Sequence, residues 1–146
     1  MKPADLSEER VLEMISGVEA YLRRERELYF SASGPLTPES RTAVEAYFSK
    51  TLVDRVRTVI LKGARIPPPP FYSEAMAFSS GSFPDFVHMA SITYMDTIVF
   101  HDEITLRSLF HGLVHAAQMD FLGLDRYTEF LCSRFREVSL LDCHTA

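Results

Sequence analysis

Residues 105–123, Thr-Leu-Arg-Ser-Leu-Phe-His-Gly-Leu-Val-His-Ala-Ala-Gln-Met-Asp-Phe-Leu-Gly, constrain this chain more than any other stretch. Leu106, Leu109, Phe110, Leu113, Val114 and Ala117 recur at steps of three and four, giving a wide apolar stripe on a helix. Thr105 is placed to cap its start and Gly123 to end it. A stripe this broad is stable only against another layer, so the helix must pack on something. His111 and His115 lie on one face of it, with Cβ atoms roughly 5–6 Å apart for residues at i and i+4, so both rings can converge on one small cation.

The layer it packs on is legible just upstream. Residues 88–94 (His-Met-Ala-Ser-Ile-Thr-Tyr) and 97–100 (Thr-Ile-Val-Phe) read as two strands joined tightly at Met95-Asp96. Earlier, Ser7 caps a first helix with Glu8 and Glu9 in its first turn and Val11, Leu12, Ile15, Val18 and Leu22 inward; it reaches Phe30. Its Arg23-Arg24-Glu25-Arg26-Glu27 cluster reads as a solvated face laced with ion pairs. Ser31 to Pro35 breaks that helix, and Thr37-Pro38 opens a second that runs to Lys50 with Val44, Tyr47 and Phe48 inward. Leu52 to Val56 either prolongs it or forms a separate turn, and Thr58-Val59-Ile60-Leu61 reads as a short strand. Pro67-Pro68-Pro69-Pro70 admits only a stiff extended connector, a surface crossover or a ligand for an aromatic groove. Ser79-Ser80-Gly81-Ser82 is a loop. Asp125 is expected to cap a last helix containing Tyr127, Phe130, Leu131 and Phe135.

Composition narrows the class. The 146 residues suit one domain, 1–146, with no linker or repeat, and 47% hydrophobic with 24% charged residues is ordinary for a globular chain. Fifteen Lys and Arg against 20 Asp and Glu leave −5, which gives a nucleic-acid partner little support. No apolar run approaches the roughly 20 residues that span a bilayer, and the charged start has no signal-peptide core, so no membrane is expected. Cys132 and Cys143 are too few for a disulfide framework and are expected to be unbridged in a cytoplasmic setting.

The two histidines belong to the pattern His-x-x-x-His, whose familiar form, His-Glu-x-x-His, binds Zn²⁺ through both rings while the Glu polarises the attacking water. Phe110-His111-x-Leu113-Val114-His115-x-x-Gln118 followed by Leu122-Gly123, after a hairpin, resembles the core of the zincin metallopeptidases. More narrowly it is similar to small bacterial zincin-like proteins of unknown function that carry His-Glu-Leu-Val-His-x-x-Gln. Pro84-Asp85-Phe86-x-His88-Met89-Ala90 shares that likeness, which spans approximately Ile66 to Phe135. The resemblance implies an α+β fold with a small antiparallel sheet, packed helices, and His111 and His115 as zinc ligands on the motif helix. The alternative for this pair is two hydrogen-bonded, metal-free groove histidines.

Gly112 stands where the motif has its Glu, and glycine can neither take a proton from a metal-bound water nor hand one to a leaving amine. A general base contributes about 10²–10⁴-fold in rate, so weak or no peptide hydrolysis is expected. Helix propensity alone predicts that Glu in place of Gly112 would strengthen the helix by several tenths of a kcal/mol. The candidates for a third ligand are Glu129, Glu137 and His88; His101 beside Asp102 and Glu103 reads as an exposed residue, and Cys143-His144 as a weak soft-ligand pair. Gln118, one turn past His115, is placed to orient a ligand or a bound water. Relative to the resembled pattern, in which a further Glu follows a Gly-containing loop, the chain reads as truncated at its C-terminus. The expected function is a degenerate zinc-metallopeptidase-like domain. The alternative is a metal-free module for a protein or peptide partner on the same fold, using the acidic surface or the proline run.

Overall fold

The computed structural model describes residues 8–62 and 90–129, apart from the side chain of Val11. The elements are α1 (Glu8–Phe30), β1 (Gly34–Pro35), α2 (Pro38–Val44), α3 (Lys50–Arg55), β2 (Arg57–Ile60), β3 (Ser91–Tyr94), β4 (Thr97–Phe100) and α4 (Leu106–Leu122). A further helix occupies 124–129. The Ser7 cap, Pro67–Pro70, the loop Ser79–Ser82, the beginning of the first hairpin segment at His88 and Met89, and Phe130, Leu131, Cys132, Phe135, Glu137, Cys143 and His144 lie outside the described residues.

The sheet runs β1-β2-β4-β3 and is mixed, which corrects the expected antiparallel sheet. The β3–β4 hairpin is antiparallel, with Tyr94 opposite Thr97, as the two-residue joint at Met95-Asp96 requires. β2 lies parallel to β4 on its other side, Arg57 opposite Thr97 through Ile60 opposite Phe100. Parallel partners cannot be joined by a tight turn, and in the chain β2 and β4 are separated by β3 and by residues outside the described set. Gly34-Pro35 adds a two-residue edge against Thr58 and Arg57, where a proline is tolerated because the edge needs no further donor.

All four residues of β4 are buried, because this strand is covered on both faces. Ile98 and Phe100 face an aliphatic cluster with Leu109, Leu113 and Ala116 of α4 and Val44, Leu52, Val53 and Val56 from the α2–α3 region. Val99 points the other way, to Tyr21 and Leu22 of α1 and to Tyr94. The period of two along the strand therefore separates three layers: α1, the sheet, and α4 with α2 and α3. α4 lies against the hairpin, but through Ser108, Leu109, Gly112, Leu113, Ala116 and Met119; of the expected stripe only Leu109 and Leu113 are buried, while Leu106, Phe110 and Val114 are exposed.

Several sequence expectations change. The second helix ends at Val44 instead of Lys50, and Ser49, whose side chain accepts from the Leu52 N–H, opens α3 as a separate helix. In consequence Tyr47 falls in the connecting turn and is 70% exposed, while Val44 is fully buried. On α1, Leu12 is exposed, and the buried stripe is Met14, Tyr21, Leu22 and Glu25. Glu25 and Arg26 thus leave the solvated face: Glu25 is 4% exposed, and Arg26 donates from Nε and Nη2 to the Asp96 carboxylate at 2.9 and 3.1 Å. Asp125 is not the cap of the last helix, since the Tyr127 N–H already reaches the Gly123 carbonyl at 3.0 Å. No described helix is long and apolar enough to cross a membrane.

Candidate metal centre

α4 is fastened at both ends by side chains its own sequence supplies. Thr105 Oγ1 accepts from the Ser108 N–H at 3.0 Å, and Ser108 Oγ accepts from the Thr105 N–H at 3.1 Å, a reciprocal cap. At the far end Gly123 takes φ 79°, and its N–H closes the last turn on the Met119 carbonyl at 2.9 Å.

Between these ends the helix approaches the sheet at backbone distance. A Cβ at Gly112 would lie 2.8 Å from Ile98 Cγ2, 3.0 Å from Ile98 Cδ1 and 3.3 Å from Thr93 Oγ1. Thr93 Oγ1 uses that proximity to donate to the Gly112 carbonyl at 3.1 Å. The gain expected from Glu at position 112 is thereby overturned, because Cβ would overlap the branch methyl of a fully buried isoleucine. Gly112 looks directly at the sheet, so His115 and His111 stand about 60° and 100° round the helix from that direction. They form the flank of α4 beside the hairpin-facing side.

The structure brings the two rings together. His115 Nε2 and His111 Nε2 are 3.1 Å apart, one donating to the other, with ring centroids 4.6 Å apart and planes at 79°. Two nitrogens on one tetrahedral Zn²⁺, at roughly 2.0–2.1 Å each, stand about 3.3 Å apart, so the pair already has close to the required separation. His111 is exposed and His115 half-buried. Burial, then the neighbouring His111, holds the His115 pKa below its ordinary value against a smaller upward pull from Gln118, so its ring is neutral and keeps a lone pair at neutral pH.

Behind the ring, His115 Nδ1 lies 3.2 Å from Gln118 Oε1, as its place one turn on anticipated. It also lies 3.2 Å from the Tyr127 hydroxyl. Tyr127 belongs to the helix that starts at once after Gly123 ends α4, its N–H on the Gly123 carbonyl. The side chain is 6% exposed, and burial pushes its hydroxyl up to about 12, so it stays protonated. The sequence holds no signal for this contact, twelve positions past His115 and beyond a helix break.

The remaining candidates are distributed differently. Glu129 is exposed and two residues beyond Tyr127, hence about 200° round its helix from the residue that faces His115. Its charge falls on Glu19, whose carboxyl is raised by its hydrogen bond to Asp125, by burial, and by the charges of Asp125 and Glu129. His101 follows β4, its N–H on the Ala90 carbonyl at 3.1 Å. Among the described residues no group of three His, Cys, Asp or Glu stands close enough to hold a metal ion. His88 and Glu137 lie outside the described residues. Compared with protein-family models, curated proteins and solved structures, the chain finds no match.

Proposed function

We propose that this chain is a zincin-like, metallopeptidase-like domain that holds Zn²⁺ through His111 and His115 and has lost glutamate-assisted peptide hydrolysis. One observation carries the proposal: the two Nε2 atoms meet at 3.1 Å on one helix flank, beside a hairpin. Zinc bound there would supply Lewis acidity. The chain's own residues orient it: Gln118 and Tyr127 meet the rear nitrogen of His115, and α4 is held rigidly on the sheet by Leu109, Leu113 and Ala116. Gly112 contributes no proton carrier, and the space its side chain would need is filled by Ile98 and Thr93. The third protein ligand is sought at His88 and Glu137.

Elemental analysis of the protein after dialysis against zinc tests this. About one zinc per chain is expected, lost in His111→Ala and in His115→Ala, and reduced in either His88→Ala or Glu137→Gln. Peptide hydrolysis at full occupancy is expected to equal the His111→Ala background. A wild-type chain that retains no zinc, and shows no binding heat, overturns the proposal in favour of the metal-free interaction module.

A further inference from the structure

The His115 ring has two oxygen neighbours at one nitrogen and another imidazole at the other, and that asymmetry decides where its single proton sits. Gln118 Oε1, 3.2 Å from Nδ1, is a carbonyl oxygen and can only accept. A hydrogen bond between them therefore requires Nδ1 to carry the proton. The Tyr127 hydroxyl oxygen, also 3.2 Å from Nδ1, can accept from the same N–H once Gln118 has fixed the proton there. A neutral imidazole has one N–H, so Nε2 is left with its lone pair, directed at His111 Nε2 3.1 Å away. In the metal-free pair the donor is then His111.

Rotation of the imidazole by half a turn would take Nδ1 away from both oxygens. The Tyr127 ring stands edge-on to His115 at a centroid distance of 6.4 Å and an interplanar angle of 79°. Gln118 comes from the same helix as His115, while Tyr127 comes from the helix beyond Gly123, so the ring is gripped from two elements.

We infer that Tyr127 and Gln118 are positioning residues that hold the proton on His115 Nδ1 and so present the Nε2 lone pair to a divalent cation of the zinc type. The importance of this for metal binding rests on the zinc proposal above; the proton's position does not.

Long-range ¹H–¹⁵N spectra of ¹⁵N-histidine-labelled, metal-free protein at about pH 8, above the ordinary histidine range, read the proton directly. His115 is expected to be protonated at Nδ1 and bare at Nε2. Tyr127→Phe, which keeps the ring and removes the oxygen, is expected to populate both tautomers. Gln118→Leu is expected to do the same, while Gln118→Glu, which retains an acceptor, keeps the wild-type tautomer. Calorimetric titration with Zn²⁺ alone should show affinity falling about tenfold or more in Tyr127→Phe and Gln118→Leu. A proton on Nε2 of wild-type His115, or a tautomer unmoved by both Tyr127→Phe and Gln118→Leu, overturns the inference. Should Tyr127→Phe not fold, the exposed position 118 decides alone. Zinc binding with the wrong tautomer sinks the inference and leaves the zinc proposal standing; the right tautomer with no zinc binding does the reverse.

Discussion

The two faces of the sheet are built from different chemistry. On the α4 side the packing is mostly aliphatic, with Phe100 and Phe48, and it is close enough for a backbone carbonyl of the helix, at Gly112, to take a hydrogen bond from Thr93 at 3.1 Å. On the α1 side tyrosines hold the layers apart. Tyr21 and Tyr94 meet edge to face at 5.7 Å with hydroxyls 2.8 Å apart, and Tyr29 stacks on Tyr94 at 5.9 Å. Charges are buried there as well. Glu25 is 4% exposed with Oε2 lacking a hydrogen-bond partner among the described residues, and Asp96 is clasped by Arg26. Among the described residues the aliphatic cluster under α4 contains no charged side chain, whereas the α1 face buries Glu25 and carries the Arg26–Asp96 pair. A site whose geometry depends on two rings 3.1 Å apart gains from a support of that kind.

The largest break in the comparison should come from Leu113→Ala. Leu113 is fully buried between α4 and the sheet, and its truncation is expected to cost about 2–5 kcal/mol, equal at every pH where the protein is folded. Chemical denaturation across a pH series measures this. A cost that varies with pH would mean the aliphatic face is coupled to the charged one.

Arg26→Met is the counterpart on the other face. Burial pushes the Asp96 carboxyl up, but the hydrogen bonds and charge of Arg26 outweigh it and hold the pKa below the ordinary value. A depressed carboxylate stabilises above its unfolded pKa of about 3.9 and loses that contribution as pH falls through the folded value. The substitution is therefore expected to cost about 1–3 kcal/mol at neutral pH, narrowing towards wild type below about pH 4. Glu25→Gln should show the opposite sign. Burial raises the Glu25 carboxyl, with Arg24 pulling it back, so ionisation destabilises the fold as pH rises past about 4.3. The variant is expected to melt above wild type at pH 7 and to lose that advantage in acid; equal melting temperatures at both pH values would contradict the burial of a charge.

Gly112→Ala sharpens the comparison at close range. Alanine gains up to about 1 kcal/mol of helix propensity, against roughly 1–3 kcal/mol for overpacking on Ile98, so a net loss on the order of 1 kcal/mol is expected. Ile98→Ala removes both overlapping carbons, and in that background Gly112→Ala should turn neutral or stabilising, a coupling that a double-mutant cycle reads out. The smallest effect belongs to the hairpin joint. Met95 sits at φ 62°, which suits glycine, so Met95→Gly is expected to be neutral or to stabilise by up to about 1 kcal/mol, by thermal melting.

Features that act within a turn or two are legible in the residues themselves. Thr37 caps α2 by accepting from the Ser40 N–H at 3.1 Å, Thr105 and Gly123 bound α4 where the residues place them, and the i,i+4 histidines meet because a helix leaves them no other relation. Such signals are complete within four residues, although not every local signal prevails, as the Asp125 cap and the second helix's expected run to Lys50 show. What required tertiary contact is everything settled between segments far apart in sequence. β2 joins β4 in parallel, a pairing that no tight turn can specify, and Val59 and Val99 then share the face packed on α1. Glu25 is buried because it lies one turn past Tyr21 and Leu22 on the face that α1 packs on the sheet; its charged surroundings in sequence pointed to solvent. Gly112 reads as a missing base in the motif, yet its meaning in the fold is steric, set by an isoleucine fourteen positions upstream. Tyr127 reaches His115 from the helix that begins directly after Gly123, so the second oxygen at Nδ1 comes from a contact that helical spacing within α4 does not specify.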